Sequence, residues 1–276
     1  MCPNYKVIVN PITKQEFMAP CRKCTPCRVS KLGFIEQLCN FEILSQYRKG
    51  NFSTFLTLTL RDGNISHCGL CRSQYTKFLD NFRISLKRRY NKSYKYVGCA
   101  EYGDDTMRPH YHFCFFGVNP QEADDILHDI WSHSIYDVGF LSNGGVRYVL
   151  DYIMTNSNKL TDGNNQFYLN LGLCPPFYTK SGGIGKEYLE NSIIPFYRDY
   201  GYYTDRGQKK LLSSYYTTKY GLKSDLSVID NVSAEVAELK IKGLQTRYRS
   251  KGRPFENFIL TDLDKEYYNL LNKRFL

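Results

Sequence analysis

His110-Tyr111-His112 places two imidazoles two residues apart in an otherwise hydrophobic run. Alternate residues of a strand face the same side, so both rings point together and form a clamp for a divalent metal ion. Cys114 and Phe116 would share that side, with Tyr111, Phe113 and Phe115 turned toward a core. Glu101 ends the preceding strand, and the turn Tyr102-Gly103-Asp104-Asp105 folds its carboxylate back beside the histidines. Two imidazoles and one carboxylate leave coordination positions open, which suits an ion that must also hold a substrate phosphate. The competing reading pairs Glu101 with Arg108.

Tyr148 and Tyr152 stand four residues apart, so a helix puts them on one face, one turn from each other. Val146, Val149, Leu150 and Ile153 form the apolar stripe of that helix, and the two tyrosines lie away from it. Phenols out of phase with a core stripe are available as nucleophiles. A phenol with a pKa near ~10 needs a cation or base close by to attack at neutral pH. Two such groups one turn apart let one hold a 5′ end while the other attacks a regenerated junction.

Cys21-x-x-Cys24-x-x-Cys27 has metal-like spacing, and Cys2 can supply a fourth thiolate for structural Zn²⁺. An iron–sulfur cluster and plain thiols remain open alternatives. His67-Cys68-Gly69-Leu70-Cys71 is a second source of ligands or a simple loop. Gly182-Gly183-Ile184-Gly185-Lys186-Glu187 lacks the earlier Gly and the Ser or Thr after Lys of a phosphate loop, which argues against ATP binding.

These residues must be positioned by regular elements. Residues 1–28 read as irregular and a helix is expected over 29–48. Thr54 to Leu60 alternates as a strand, with Leu56, Leu58 and Leu60 inward and Phe55, Thr57 and Thr59 on the more polar side. A helix over 75–90 carries the stripe Tyr75, Phe78, Leu79, Phe82 and Leu86. Strands follow at Tyr94–Glu101 and His110–Phe116, then a helix over 121–131, a weak strand near Ile135–Leu141 and a helix from Val146 to Lys159. The expected fold class is α+β: a split βαββαβ unit, ferredoxin- or RRM-like, whose antiparallel sheet has helices on one face and leaves the other open to a ligand. The expected organisation is a Cys-rich extension and helix over 1–50, a core over 51–160, and a partly helical, basic extension over 161–276.

Composition fits this picture. The 276 residues are 42% hydrophobic and 23% charged, as in globular domains. Lys and Arg number 37 against 27 acidic residues, a surplus of +10 that favours a polyanionic partner. Twenty-four Tyr and 17 Phe suit base stacking. No apolar run of ~18 residues is present, so no membrane contact is expected. Without a secretory signal the expected location is a reducing cytoplasm, where ten cysteines point to thiols or metal ligation.

The motifs together resemble the HUH endonucleases, and more closely the replication initiators of gokushovirus-type single-stranded DNA phages (Microviridae). The resemblance covers roughly residues 1–190: Phe55-Leu56-Thr57-Leu58-Thr59, Cys99-Ala100-Glu101-Tyr102-Gly103 with Arg108-Pro109-His110-Tyr111-His112, Tyr148-x-x-x-Tyr152, the early cysteines, and Ser181-Gly182-Gly183-Ile184-Gly185. It implies an HUH-type sheet and a rolling-circle enzyme that nicks and rejoins circular single-stranded DNA at an origin through a 5′-phosphotyrosine. It implies His110, His112 and Glu101 as ligands of Mg²⁺ or Mn²⁺, and Tyr148 and Tyr152 as nucleophiles. The relatives place a lysine soon after the second tyrosine. Here Thr155 and Asn156 intervene, and Lys159 is the first, expected with Arg108 to contact DNA. Host helicase and polymerase are the implied partners, in the host bacterial cytoplasm. The alternatives are a non-catalytic RRM-like nucleic-acid-binding module, or a relaxase or transposase with the same chemistry.

Overall fold

A computed structural model of the chain describes residues 6–9, 14, 16–19, 21, 24–103, 106–132, 134–142, 144–150, 162–205 and 207–225. In chain order the elements are β1 (Lys6–Val9), β2 (Glu16–Ala19), α1 (Thr25–Arg48), β3 (Ser53–Thr59), α2 (Arg72–Tyr90), β4 (Lys95–Tyr102), β5 (Pro109–Phe116), α3 (Pro120–Ile130) and β6 (Ile135–Phe140). Then come α4 (residues 144–150), α5 (Asp162–Asn170), β7 (Phe177–Lys180), α6 (Lys186–Tyr188), α7 (Ile194–Tyr200), β8 (Tyr203–Asp205), β9 (Gln208–Lys210) and α8 (Ser214–Tyr220). The chain divides into two compact units, one of residues 32–189 and one of 1–31 with 190–276.

The larger unit is built on a five-stranded antiparallel sheet in the order β6-β3-β5-β4-β7. Alternation in β3 and β5 decides its two faces. Leu56, Leu58 and Leu60 from β3 and Tyr111, Phe113 and Phe115 from β5 enter one core with Ala100 and Tyr102 of β4. The α2 stripe Tyr75, Phe78, Leu79, Phe82 and Leu86, spaced three and four apart, closes over them. Ala123, Ile126 and Leu127 of α3 complete the layer. Aromatic rings interlock at its centre, with Phe82 and Phe115 4.7 Å apart and Tyr75 and Phe113 5.0 Å apart. Local signals set the helix ends. Asn119 and Glu122 form a capping box around Pro120 at the start of α3, and Asn91 closes α2 in the left-handed region at φ 53°.

The expected α+β architecture is therefore present, with two differences. A fifth strand, β7, adds Phe177 to the core beside β4. Its four residues are too few to show a period. The other face of the sheet is also not wholly open. Cys114 and Phe116 on it are fully buried. The buried Glu42 of α1 accepts hydrogen bonds from Lys95 Nζ at 2.8 Å, from Gly185 N at 2.8 Å and from Gln46 Nε2 at 2.9 Å. This places α1 over that end of the sheet, because an apolar strand end needs a cover. Gly185 meets α1 closely: at φ 71°, a Cβ there would stand 2.5 Å from the Leu38 carbonyl oxygen. The Ser181–Gly185 segment is thus an anchor of the fold.

In the smaller unit, β1 and β2 form an antiparallel pair inside the stretch expected to be irregular, and β8 and β9 form another. Tyr197, Tyr203, Leu212 and Tyr216 are buried there. Tyr197 and Ser224 share a hydrogen bond of 2.7 Å. The expected helical tail beyond Ser233 lies outside the described residues. Among the described residues no helix is long and apolar enough to cross a membrane.

Candidate active site on the sheet

The pleat carries His110 and His112 onto the sheet face away from α2 and α3. Register then fixes their neighbours: Thr59 and Glu101 flank His110, and Thr57 and Cys99 flank His112. Asp137 lies beyond Thr57 on β6, and Tyr178 lies beyond Cys99 on β7, completing the row through His112.

The hairpin brings Glu101 and the histidines together as expected. The carboxylate Oε1 of Glu101 lies 2.8 Å from His112 Nε2, with Glu101 only 4% and His112 5% exposed. The rings of His110 and His112 are 6.2 Å apart. A carboxylate buried this deeply costs several kcal/mol unless it is partnered, so packing alone does not select it. Burial holds the His110 imidazole below the ordinary histidine range, and the neighbouring His112 and Arg108 add to the effect. A neutral ring keeps a lone pair for a metal ion. Gly103 follows Glu101 closely enough that a Cβ there would stand 3.0 Å from His110 Nε2. Burial, then the charge of Glu101, push the Cys99 thiol well up, so it stays protonated beside the site.

Helix α4 brings a tyrosine to this cluster. Ser142 Oγ accepts the Gly145 amide at 3.3 Å, and its carbonyl accepts the Val146 amide at 3.2 Å, starting the helix. Gly145 lets α4 approach Phe55, since a Cβ would stand 3.1 Å from that ring. Val146, Val149 and Leu150 are buried as the apolar stripe required, whereas Tyr148 is 42% exposed. The Tyr148 ring stands edge-on to His112 with centroids 5.3 Å apart, and edge-on to Phe55 at 5.8 Å. Tyr152 and Lys159 lie outside the described residues.

Arg108 sits at the rim of the site. Its guanidinium donates to the Leu60 carbonyl at 2.9 Å and pairs with Asp62 at 2.7 Å. Beside it, a cavity of about 360 Å³ is lined by His67, Tyr102, Met107 and Pro109 among others. Sequence reasoning did not single out Thr57 and Thr59 as neighbours of the imidazoles, nor Phe55 as the platform under Tyr148. Their alternation already put all three on the histidine face.

In the smaller unit, the ligand atoms of Cys21, Cys24 and Cys27 all lie within 4.8 Å of one another. The Cys24 amide donates to Cys21 Sγ at 3.3 Å, and the Cys21 and Cys27 sulfurs are 4.0 Å apart. Such a three-thiol group can bind a metal such as zinc. Cys2 lies outside the described residues.

Comparison with known proteins bears on both chemistry and family. Residues 53–157 match the family model of the ORF2-type replication-associated proteins, a segment that holds β3, Glu101, both histidines and both tyrosines. The replication-associated protein ORF2 of Spiroplasma virus 4 is 28% identical over 212 residues, covering 69% of this chain and 63% of that protein. The replication-associated protein VP4 of Bdellovibrio phage phiMH2K is 27% identical over 196 residues, covering 63% of this chain and 58% of that protein. The replication-associated protein ORF4 of Chlamydia phage 1 is 23% identical over 155 residues, covering 50% of this chain and 38% of that protein. The chain therefore spans less than two thirds of the length of these relatives. No solved structure matches it. The resemblance to replication proteins of Microviridae-type phages read from the motifs is shown by these matches.

Proposed function

We propose that this relative of phage replication-associated proteins is an HUH-type endonuclease that nicks and rejoins single-stranded circular phage DNA at an origin during rolling-circle replication. The observation that carries this reading is the Tyr148 ring packed 5.3 Å from His112, whose Nε2 meets the buried Glu101 at 2.8 Å. A half-exposed phenol beside a nitrogen-and-carboxylate cluster is an arrangement for phosphoryl transfer.

His110, His112 and Glu101 fit Mg²⁺ or Mn²⁺, because two imidazoles and one carboxylate form a donor set that leaves sites for phosphate oxygens. When bound, the ion withdraws charge from the scissile phosphate and stabilises the leaving oxygen. The chain's own residues do the rest. Tyr148 or Tyr152, as phenolate, attacks phosphorus; the bond to the 3′ oxygen breaks, and that oxygen takes up a proton to leave a 3′ hydroxyl. The 5′ phosphate stays on the tyrosine. Rejoining reverses the step: a 3′ hydroxyl loses its proton, attacks the phosphotyrosine and releases the phenol. One phosphodiester is exchanged for another, so no nucleotide hydrolysis is needed. The pair of tyrosines allows a second cleavage while the first end is still held.

Arg108 and Lys159 are assigned to the DNA backbone, and Cys21, Cys24 and Cys27 with Cys2 to structural Zn²⁺. The enzyme would act in the host bacterial cytoplasm, with host helicase and polymerase extending the 3′ end. The test is incubation of the full chain with single-stranded origin DNA and Mn²⁺. A nicked strand carrying covalent protein is expected, and His110→Ala should abolish it. Nicking that persists in His110→Ala or in excess EDTA would refute the assignment.

A further inference from the structure

Two threonines of β3 repeat one contact. Thr57 Oγ1 lies 3.0 Å from His112 Nδ1, and Thr59 Oγ1 lies 2.9 Å from His110 Nδ1. The register explains the repeat, since Thr57 pairs with His112 and Thr59 with His110 across the β3–β5 ladder. Side chains directly opposite on one face have Cβ atoms about 4.5–5.5 Å apart, within reach of a hydroxyl and a ring nitrogen. In both cases the bond engages Nδ1 and turns Nε2 away from β3. Nε2 of His112 then faces Glu101, and Nε2 of His110 faces the gap beside Gly103.

From this repeated geometry we infer that Thr57 and Thr59 are positioning residues of the metal centre, each fixing the rotation and tautomer of one imidazole so that Nε2 is the ligand atom. The inference rests on the reading of His110, His112 and Glu101 as that centre. With an ion on Nε2, the proton sits on Nδ1 and the threonine hydroxyl accepts it. An imidazole held this way loses little rotational freedom on binding, and its ligand nitrogen becomes more basic. A strand needs β-branched residues here, but valine would serve that need equally. The hydroxyl is what the imidazole uses. Thr54 in the same strand supplies the contrast: its hydroxyl donates to the Val118 carbonyl at 2.7 Å on the buried side, away from the site.

The test is titration of the full-length protein with Mn²⁺ alone, followed by calorimetry. Wild type should bind, and His112→Ala should remove that binding. The double variant Thr57→Val, Thr59→Val should bind roughly 10–100-fold more weakly, the range found when such supporting groups are removed. Serine at both positions should restore affinity, and Thr54→Val should leave it unchanged. Valine variants that bind Mn²⁺ within about twofold of wild type would overturn the positioning role while leaving the metal centre intact. Wild-type binding that survives His112→Ala would overturn the metal centre itself, and the positioning role with it. A second measurement covers the case in which the valine variants do not fold. In ¹⁵N-histidine spectra of the wild type with Zn²⁺ as a diamagnetic probe, Nδ1 of both rings should carry the proton. Metal on Nδ1 of either ring would overturn the inference.

Discussion

Tyr148 stands edge-on to His112, ring centroids 5.3 Å apart and planes at 80°, although the two come from a helix and a strand 36 residues apart. Phe55 fixes the approach by touching both, its ring 6.1 Å from His112 and 5.8 Å from Tyr148. The phenol is half in solvent, so the contact positions a reactive group more than it stabilises the fold. Tyr148→Phe keeps the ring and should change stability by less than about 0.5 kcal/mol, as surface substitutions do. Joining reactions that need both tyrosines should fall by at least ~10²-fold, the scale of losing a catalytic group. Thermal melts alongside a strand-transfer assay check both halves.

Glu42 ties α1 to β4 and to Gly185 through three hydrogen bonds and is fully buried. Glu42→Ala leaves the Lys95 ammonium and the Gly185 amide without that partner and should cost about 3 kcal/mol. Gly185→Ala should destabilise as well, by more than the 1–2 kcal/mol of a left-handed residue, because its Cβ would meet the Leu38 carbonyl. Urea unfolding of the two variants measures this. A loss below about 1 kcal/mol in both would show that α1 is not held as described.

Burial pushes the Cys39 thiol up to about 12, with Glu36 and Glu42 adding and Lys180 opposing. Burial likewise pushes the Tyr102 and Tyr111 phenols up to about 12. These groups hold their protons in the folded state at pH values where the unfolded chain has lost them. The unfolded state then binds fewer protons, so stability falls as pH rises. Stability from these groups should be complete below about pH 8.5, where an unfolded thiol begins to ionise, and should drain away toward pH 12. The same burial should protect Cys39, Cys99 and Cys114 from alkylation in the native protein at pH 8. Cys71 should react ahead of them: burial works against its ionisation, but hydrogen bonds from Ser73, Gln74 and Cys68 lower its pKa overall. Mass spectrometry of labelled peptides and melts across pH test both statements.

The cluster of Cys21, Cys24 and Cys27 should retain one zinc per chain when the protein is purified without chelator. Cys24→Ser should release it, and a chelating dye should remove it from the wild type with a fall in thermal midpoint. Elemental analysis that finds iron with sulfide, or no metal at all, would contradict the zinc assignment.

What the sequence made legible follows from period and distance along the chain. The alternation of β3 and β5 assigned the two faces residue by residue, and the short turn after Glu101 predicted the carboxylate beside the histidines. The helical phase of Val146, Val149 and Leu150 put Tyr148 at the surface. Features that depend on partners far along the chain stayed hidden. Glu42 meets Gly185 across 143 positions, so nothing local marks it as a hub. β7 is four residues long, and β1 with β2 form only a short pair. Thr57 and Thr59 read as ordinary strand formers until the register set them against His112 and His110.

The central claim is that a tyrosine of this chain becomes joined to DNA. Its most direct test is to digest the product of the full-length protein, Mn²⁺ and single-stranded origin DNA, and to sequence the DNA-linked peptide by mass spectrometry. The account predicts a 5′-phosphotyrosine at Tyr148 or Tyr152, absent when both are phenylalanine. An adduct that survives the double substitution, or one mapped to any other residue, would contradict it.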